Sequence, residues 1–152
     1  MSKSNSLEND FLLLLFNNTN AANIGDATGL RGSSAAGSLY VGLHTADPGE
    51  AGSQTTNECA FGSYARVAVA RTSGGWTVTG NAVENVAQIS FPACTSGSEA
   101  VTHFSVGTDA SGAGKLLYKG PLKNGSGVDT TYNISSGVTL VIPAGGLDIT
   151  ED

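Results

Sequence analysis

Six apolar residues follow one another without a break near the start of a chain whose remainder alternates between apolar and polar positions. The run is Phe11-Leu12-Leu13-Leu14-Leu15-Phe16. It is too short to cross a bilayer, which takes about 20 apolar residues. Because the run is apolar on every side of a helix, one surface of a single domain cannot cover it. We therefore expect another subunit to cover part of it, as in an assembly protein.

A helix is predicted from about Ser6 to Phe16. Asn5 precedes it as a candidate N-cap, with Glu8 three residues on as the reciprocal partner. The spacing i, i+4, i+7, i+8 predicts one apolar stripe along this helix, formed by Leu7, Phe11, Leu14 and Leu15, and leaves Leu12, Leu13 and Phe16 outside it. The side chains expected to anchor an interface are Leu7, Phe11, Leu12, Leu15 and Phe16.

The segment from Asn17 to Gly37 is small, polar and without periodicity. It is predicted to be an extended arm that orders only against a neighbour, with a mobile surface loop as the alternative. Leu30 and Arg31 are expected to latch this arm. The predicted organisation is a helix and arm, 1–37, followed by a β-domain, 38–152.

From Ser38 onward, short strand patterns recur between turn signals at intervals of roughly 8–12 residues. No helical pattern separates them, which argues against a parallel α/β sheet. The predicted fold class is all-β: an antiparallel, jelly-roll-like sandwich of about eight strands with one short N-terminal helix and an extended arm. The strands are predicted near residues 39–43, 64–71, 76–79, 86–91, 101–107, 116–118, 130–134, 138–142 and 147–150.

Composition and charge narrow the possible partners. Glycine accounts for 21 of 152 residues and charged residues for 13%, against about 25% charged in an average domain, which suits short strands joined by turns. The net charge is −6 and the seven Lys and Arg residues are scattered, which argues against nucleic acid and membrane surfaces as partners. Lys3 is the only early cation, so no export signal is predicted and assembly in the cytoplasm is expected.

The candidate catalytic residues do not form a recognisable motif. His44, Asp47 and Ser105 could make a hydrolase triad, but the chain has no G-x-S-x-G elbow. We expect His44 and His103 instead to close strand-end hydrogen bonds or to lie at an interface. No carboxylate pair stands out as a glycosidase pair. The sequence therefore predicts no enzyme.

The sequence also gives no convincing indication of a metal or cofactor site. Cys59, Cys94 and the two histidines are too widely spaced to favour zinc, and the cysteines are expected to be small buried residues rather than a disulfide. The segment 107–115 fails the phosphate-loop pattern and is predicted to be a turn. Asp109 and Asp129 lack the further acids of a calcium loop. No metal and no cofactor is predicted, and Trp76 is expected in the core rather than at a partner.

Several segments resemble small bacteriophage virion proteins, whose relatives are often labelled phage tail fibre proteins. The resemblance covers about 38–152, keeps the order of the segments and carries no catalytic signature. It implies a small virion structural protein. The segments that carry it are Leu39–Pro48 (LYVGLHTADP), 62–69, 89–93, 101–104, 116–122 and 142–150.

Some small phage cement proteins with jelly-roll folds clamp neighbouring capsid subunits together. On this resemblance we interpret the chain as a capsid cement or decoration protein of the virion. Its expected partners are the major capsid protein and itself, as a dimer or trimer. Two alternatives stay open: a tail-associated protein, in a tail fibre or tail tube, and a surface carbohydrate-binding module.

Overall fold

The computed structural model describes residues 2–151, and over that range the protein has one helix and eleven short strands. The helix is α1 (Asn5–Asn17). The strands are β1 (Ser38–His44), β2 (Val67–Ala70), β3 (Trp76–Thr79), β4 (Ala82–Asn85), β5 (Ile89–Ser90), β6 (Ser98–Val101), β7 (His103–Gly107), β8 (Leu116–Pro121), β9 (Tyr132–Ser135), β10 (Val141–Ile142) and β11 (Asp148–Thr150).

These strands form a four-stranded sheet in the order β2-β1-β7-β8, a three-stranded sheet in the order β11-β4-β3, and the two-stranded sheets β10-β5 and β6-β9. The pairs β1–β7, β7–β8, β3–β4, β4–β11 and β6–β9 are antiparallel. The predicted all-β fold with one N-terminal helix is confirmed, and the antiparallel sheets are consistent with a sandwich.

Two predicted strands have different bounds in the structure. The predicted strand 101–107 divides at Thr102, because β6 before it pairs with β9 whereas β7 after it pairs with β1 and β8. The predicted strand 86–91 is displaced because Asn85 is buried and its Nδ2 donates to two main-chain oxygens, those of Ala87 and Pro143, at 2.8 Å each. Side-chain bonds such as those of Asn85 compete with strand pairing.

The chain divides into two compact units. The first takes the described parts of 1–38, 69–89 and 142–152, and the second takes 39–68 and 90–141. The first unit holds α1 with the sheet β11-β4-β3, and the second holds β6 to β9 and most of β1. The organisation predicted from the sequence, 1–37 against 38–152, stays a prediction.

Helix α1 packs on β3 and β4 of the first unit. Its N-cap is Ser4 and not the predicted Asn5, and the Ser4 hydroxyl accepts a bond from the N–H of Leu7 at 3.4 Å. The buried residues of the helix are Glu8, Leu12 and Phe16, spaced by four. Phe16 meets the buried Trp76 in an edge-to-face contact, with ring centroids 4.9 Å apart. The core position predicted for Trp76 is confirmed.

The predicted apolar stripe is therefore wrong. The sequence placed Leu12 and Phe16 outside it, whereas both are fully buried in the first unit. Leu7, Leu14 and Leu15 are half-buried, and Phe11 is 43% exposed. The buried side of the helix differs from the predicted one because Phe16 packs against Trp76, which lies in a distant part of the sequence.

The segment predicted as an extended arm folds back as a closed loop. Ala21 and Leu30 pair through two main-chain bonds of 2.9 and 3.0 Å. Asn18, in the left-handed conformation that ends α1, bonds to both the N–H and the oxygen of Ser33, at 2.6 and 2.8 Å. Asn20 Oδ1 accepts from the N–H of Gly32 at 3.0 Å. The asparagine side chains and the main-chain bonds within the segment thus hold the loop closed.

Candidate functional site

The second unit contains four buried polar side chains, which we call the polar cluster: His44, Gln54, Arg66 and Ser105. His44 ends β1, the inner strand flanked by β2 and β7, whose last four residues are all buried. Ser105 lies at the middle of β7, where it pairs with Gly42 of β1. A buried polar group is costly unless it is hydrogen-bonded, so the partners of these side chains define what the cluster does.

His44 and Ser105 form a fully buried hydrogen-bonded pair. His44 Nε2 lies 2.7 Å from Ser105 Oγ, and Nδ1 lies 2.9 Å from the main-chain oxygen of Thr56. Because a carbonyl oxygen only accepts, Nδ1 carries the proton and Nε2 accepts from the Ser105 hydroxyl. Burial lowers the pKa of His44, with the positive charge of Arg66 acting in the same direction and the Glu58 carboxylate opposing it. The ring is therefore neutral.

This pair is not a catalytic triad. Asp47, the predicted third member, instead accepts from the N–H of Gly49 at 2.8 Å and pairs with Lys119 at 3.0 Å. Both His44 and Ser105 have no exposed surface, so no substrate reaches the hydroxyl. The expectation that His44 closes a strand-end hydrogen bond is confirmed. His103 likewise bonds locally, through Nδ1 to the Thr102 hydroxyl at 2.8 Å.

Arg66 forms a two-point ion pair with Glu58. Its Nε and one terminal nitrogen lie 2.6 and 2.7 Å from the two carboxylate oxygens, and the arginine side chain is only 2% exposed. Tyr64 donates its hydroxyl to the same carboxylate at 3.1 Å and accepts the N–H of Leu43 at 2.9 Å. Burial raises the pKa of Tyr64, which keeps the hydroxyl protonated as a donor.

The remaining donors of Arg66 hold the loop between β7 and β8. One terminal nitrogen donates to the oxygen of Asp109 and the other to the oxygen of Gly112, both at 2.8 Å. Gln54 adds three bonds to the same loop: its N–H donates to the oxygen of Ala113, its Oε1 accepts from the N–H of Asp109, and its Nε2 donates to the oxygen of Asp109. Buried side chains therefore fix the main chain of an exposed loop.

The glycines of this loop are required by the cluster. A Cβ added at Gly107 or at Gly114 would overlap the side chain of Gln54. Gly114 also has a left-handed φ of +49°, which a residue with a side chain rarely adopts. Packing against Gln54 therefore explains the glycines that make 107–115 faintly similar to a phosphate loop. The segment is a turn between strands, as predicted.

The two cysteines are free and buried, as expected for small core residues. Burial raises the pKa of Cys59, and the neighbouring carboxylate of Glu99 adds to the rise, so this thiol stays protonated. A zinc site made from cysteines and histidines, which their spacing does not favour, is not assembled, since both ring nitrogens of His44 bond to protein atoms. Over residues 2–151, no group of three or more His, Cys, Asp or Glu residues is placed to hold a metal ion.

The residues predicted as interface anchors have different positions in the fold. Leu12 and Phe16 are in the core of the first unit and cannot contact a partner without unfolding it. Phe11 and Leu30 are exposed, at 43% and 41%. Arg31 is exposed and bonds to the hydroxyl of Thr28 at 3.1 Å. The half-buried side chains of Leu7 and Leu15 lie on the same helix as Phe11.

Sequence reasoning missed three residues that organise the structure: Arg66, Gln54 and Arg71. Arg66 and Arg71 lie within the predicted strand 64–71, and a charged residue inside a β-pattern is the available signal. Gln54 lies in a stretch of small polar residues that offers no such signal. Apart from the Glu58 carboxylate that pairs with Arg66, most acceptors of these side chains are main-chain oxygens far away in sequence, which no local pattern identifies.

No helix in the described chain has the length and apolar character of a membrane span. None of the curated proteins compared with the chain matches it. Residues 2–150 match a family described as "Podophage GP4 fiber I protein gp80", which is nearly the whole sequence. The chain therefore belongs to the Podophage GP4 fiber I protein gp80 family and is a structural protein of the bacteriophage virion.

Proposed function

We propose that this protein is a tail-associated structural component, part of a phage tail fibre, and that it acts by binding other virion chains rather than by catalysis. The observation that supports the proposal is the family match over residues 2–150, whose description is that of a fiber protein. The capsid-cement function predicted from the sequence has less support, because nothing in that description refers to the capsid.

The buried polar cluster supports a role without catalysis. The arrangement most like a catalytic one, His44 with Ser105, has no exposed surface. Its hydrogen bonds end on main-chain atoms and on one another. A nucleophile must reach its substrate, whereas this pair stabilises the end of β1. The energy of these bonds therefore stabilises the fold and not a transition state.

The interface of this component is proposed on the exposed side of α1. Leu7, Phe11 and Leu15 keep part of their surface accessible, and Leu30 is exposed on the loop that follows the helix. Exposed apolar side chains favour association when they lie together on one helix face. We propose that these residues contact a second copy of the chain, in a dimer or trimer.

Immunogold labelling of intact virions tests the position. The proposal expects an antibody against this protein to label the tail. Labelling spread over the capsid shell would overturn it and would favour the cement function with the major capsid protein as partner.

Sedimentation of the purified chain tests the interface. Phe11→Ser is expected to shift the chain toward monomer. The matched control is Val128→Ser, because Val128 is even more exposed, at 59%, but lies far from α1 in sequence and in the other unit. An unchanged oligomeric state in Phe11→Ser, or an equal shift in Val128→Ser, would contradict the proposed interface.

A further inference from the structure

The hairpin loop between Lys123 and Asp129 has a geometry that the Asn-Gly sequence alone does not give. Lys123 and Asp129 form an isolated antiparallel bridge. Asn124 donates its N–H to the oxygen of Val128 and accepts the N–H of Gly127 on its own oxygen, both at 2.9 Å. Gly127 carries the left-handed φ of +76°. Asn124 is therefore the first residue of the turn rather than one of its two central residues.

The side chain of Asn124 is held by two main-chain donors. Its Oδ1 accepts from the N–H of Ser126 at 2.9 Å and from the N–H of Val128 at 3.1 Å. Two such donors draw electrons from the amide carbonyl and would stabilise negative charge that develops on its oxygen. The whole loop from Lys123 to Asp129 is exposed, so water and hydroxide reach it.

Gly125 is a glycine that the turn does not require. Among the described residues, Gly125 is not one of the glycines with a left-handed φ. A Cβ added at Gly125 would meet no atom within 4 Å. What the glycine does provide is a main-chain nitrogen without a shielding side chain, directly after Asn124. Asparagine is a thermolabile residue, and an unshielded following nitrogen is the group that attacks its side-chain amide.

We infer that Asn124 is a site of spontaneous deamidation in the folded protein. The Gly125 nitrogen loses its proton to hydroxide and bonds to Cγ of Asn124, and negative charge passes to Oδ1, where the N–H groups of Ser126 and Val128 receive it. The bond from Cγ to Nδ2 then breaks, and Nδ2 takes a proton from water and leaves as ammonia, which regenerates the hydroxide. Water opens the resulting cyclic imide to aspartate or isoaspartate, so the net reaction consumes one water and releases one ammonia.

The two products affect the loop differently. Aspartate keeps the two acceptor bonds of Oδ1 and strengthens them, because the acceptor becomes charged. Isoaspartate adds a carbon to the main chain and displaces the bonds that Asn124 makes with Val128 and Gly127. Either product adds a negative charge to the loop that ends at Asp129.

Peptide mapping by mass spectrometry tests the inference. The full chain is incubated folded, in mildly alkaline buffer, and in parallel in denaturant, with Asn124→Asp as the chromatographic standard for one product. Asn133 is the internal control, because it lies in β9 and precedes the β-branched Ile134. In the folded chain, Asn124 is expected to convert several-fold faster than Asn133 and at least as fast as in the denatured chain.

The variant Gly125→Ala is expected to slow conversion of Asn124 several-fold without changing the fold, since its Cβ meets open space. Thermal unfolding of the variant checks that the fold is kept. The inference is overturned if Asn124 stays intact in the folded chain while it converts in denaturant, because the turn would then protect the amide. It is overturned equally if Gly125→Ala converts at the original rate.

Discussion

Arg71 Nε donates to the main-chain oxygen of Leu15 at 2.7 Å, and a terminal nitrogen of the same guanidinium donates to the oxygen of Leu14 at 2.8 Å. These are carbonyls of the last turns of α1, which has no basic residue of its own there. A cation at this end of a helix also interacts favourably with the helix dipole. Another nitrogen of Arg71 donates to the oxygen of Ala36 at 3.1 Å, so one side chain joins the helix to the loop that follows it.

We predict that Arg71→Ala destabilises the protein by about 2–3 kcal/mol, because charged donors to two helix carbonyls are lost together with the dipole interaction. Chemical denaturation measures the change. Arg31→Ala is the matched control, since Arg31 is exposed, and its effect is expected to stay within about 0.5 kcal/mol. Equal effects of the two substitutions would show that Arg71 does not anchor α1.

The apolar run of α1 separates into core and surface. Leu12→Ala is expected to cost about 2–5 kcal/mol of stability because it leaves a cavity beside the sheet. Phe11→Ala, one residue earlier, is expected to cost less than about 1 kcal/mol in the monomer because Phe11 is largely exposed. Denaturation of both variants at low protein concentration compares them. If Phe11→Ala lowers the stability as much as Leu12→Ala, the buried side of α1 is not the one formed by Glu8, Leu12 and Phe16.

Stability is expected to fall in mild acid because of His44. Its pKa in the folded chain lies below the ordinary value of 6.5, so below about pH 6.5 the unfolded chain binds a proton that the folded chain does not. By linkage the free energy of unfolding then decreases as pH falls, by up to about 1.4 kcal/mol per pH unit for this one group. The groups that face it are Glu58, Arg66 and His103.

Urea denaturation at a series of pH values, with His44→Gln in parallel, isolates this contribution. The variant is expected to be less stable at neutral pH and to show a flatter profile between about pH 7 and about pH 5, since carboxylates titrate mostly below that range. Parallel profiles for the two proteins would mean that His44 is not held neutral by the fold.

The loop between β7 and β8 depends on space beside Gln54. Gly114→Ala is expected to destabilise the protein by about 1–3 kcal/mol because the added Cβ overlaps the buried amide. In Gly125→Ala the added Cβ meets no atom within 4 Å, so the stability is expected to change by less than about 0.5 kcal/mol. Thermal unfolding of both variants makes the comparison. If Gly114→Ala unfolds at the same temperature as Gly125→Ala, Gln54 does not fix this loop.

Local patterns predicted the elements of this fold better than their packing. The helix bounds differ by about one residue from the prediction, because the end of the apolar run and the asparagines after it mark where the helix stops. The prediction of which side of the helix is buried was wrong, because six apolar residues in a row carry no periodic signal. Packing on β3 and β4, including the contact of Phe16 with Trp76, decides which side is buried, and a charged residue, Glu8, shares that side.

The polar cluster was beyond sequence reasoning for a related reason. Arg66 donates to a main-chain oxygen 43 residues away and Gln54 to the same oxygen 55 residues away. The pairing of β1 with β7 brings these groups together, and no spacing rule encodes it. The sequence did identify His44 and Ser105 as a possible pair, but only the burial of both shows that the pair is structural.

A reconstruction of the intact virion tests the central claim most directly. We predict density for this fold in the tail, with the helix face of Leu7, Phe11 and Leu15 against a neighbouring chain and with Leu12 and Phe16 enclosed in their own unit. Density for the protein on the capsid shell, or a tail position in which that helix face meets only solvent, would contradict the account.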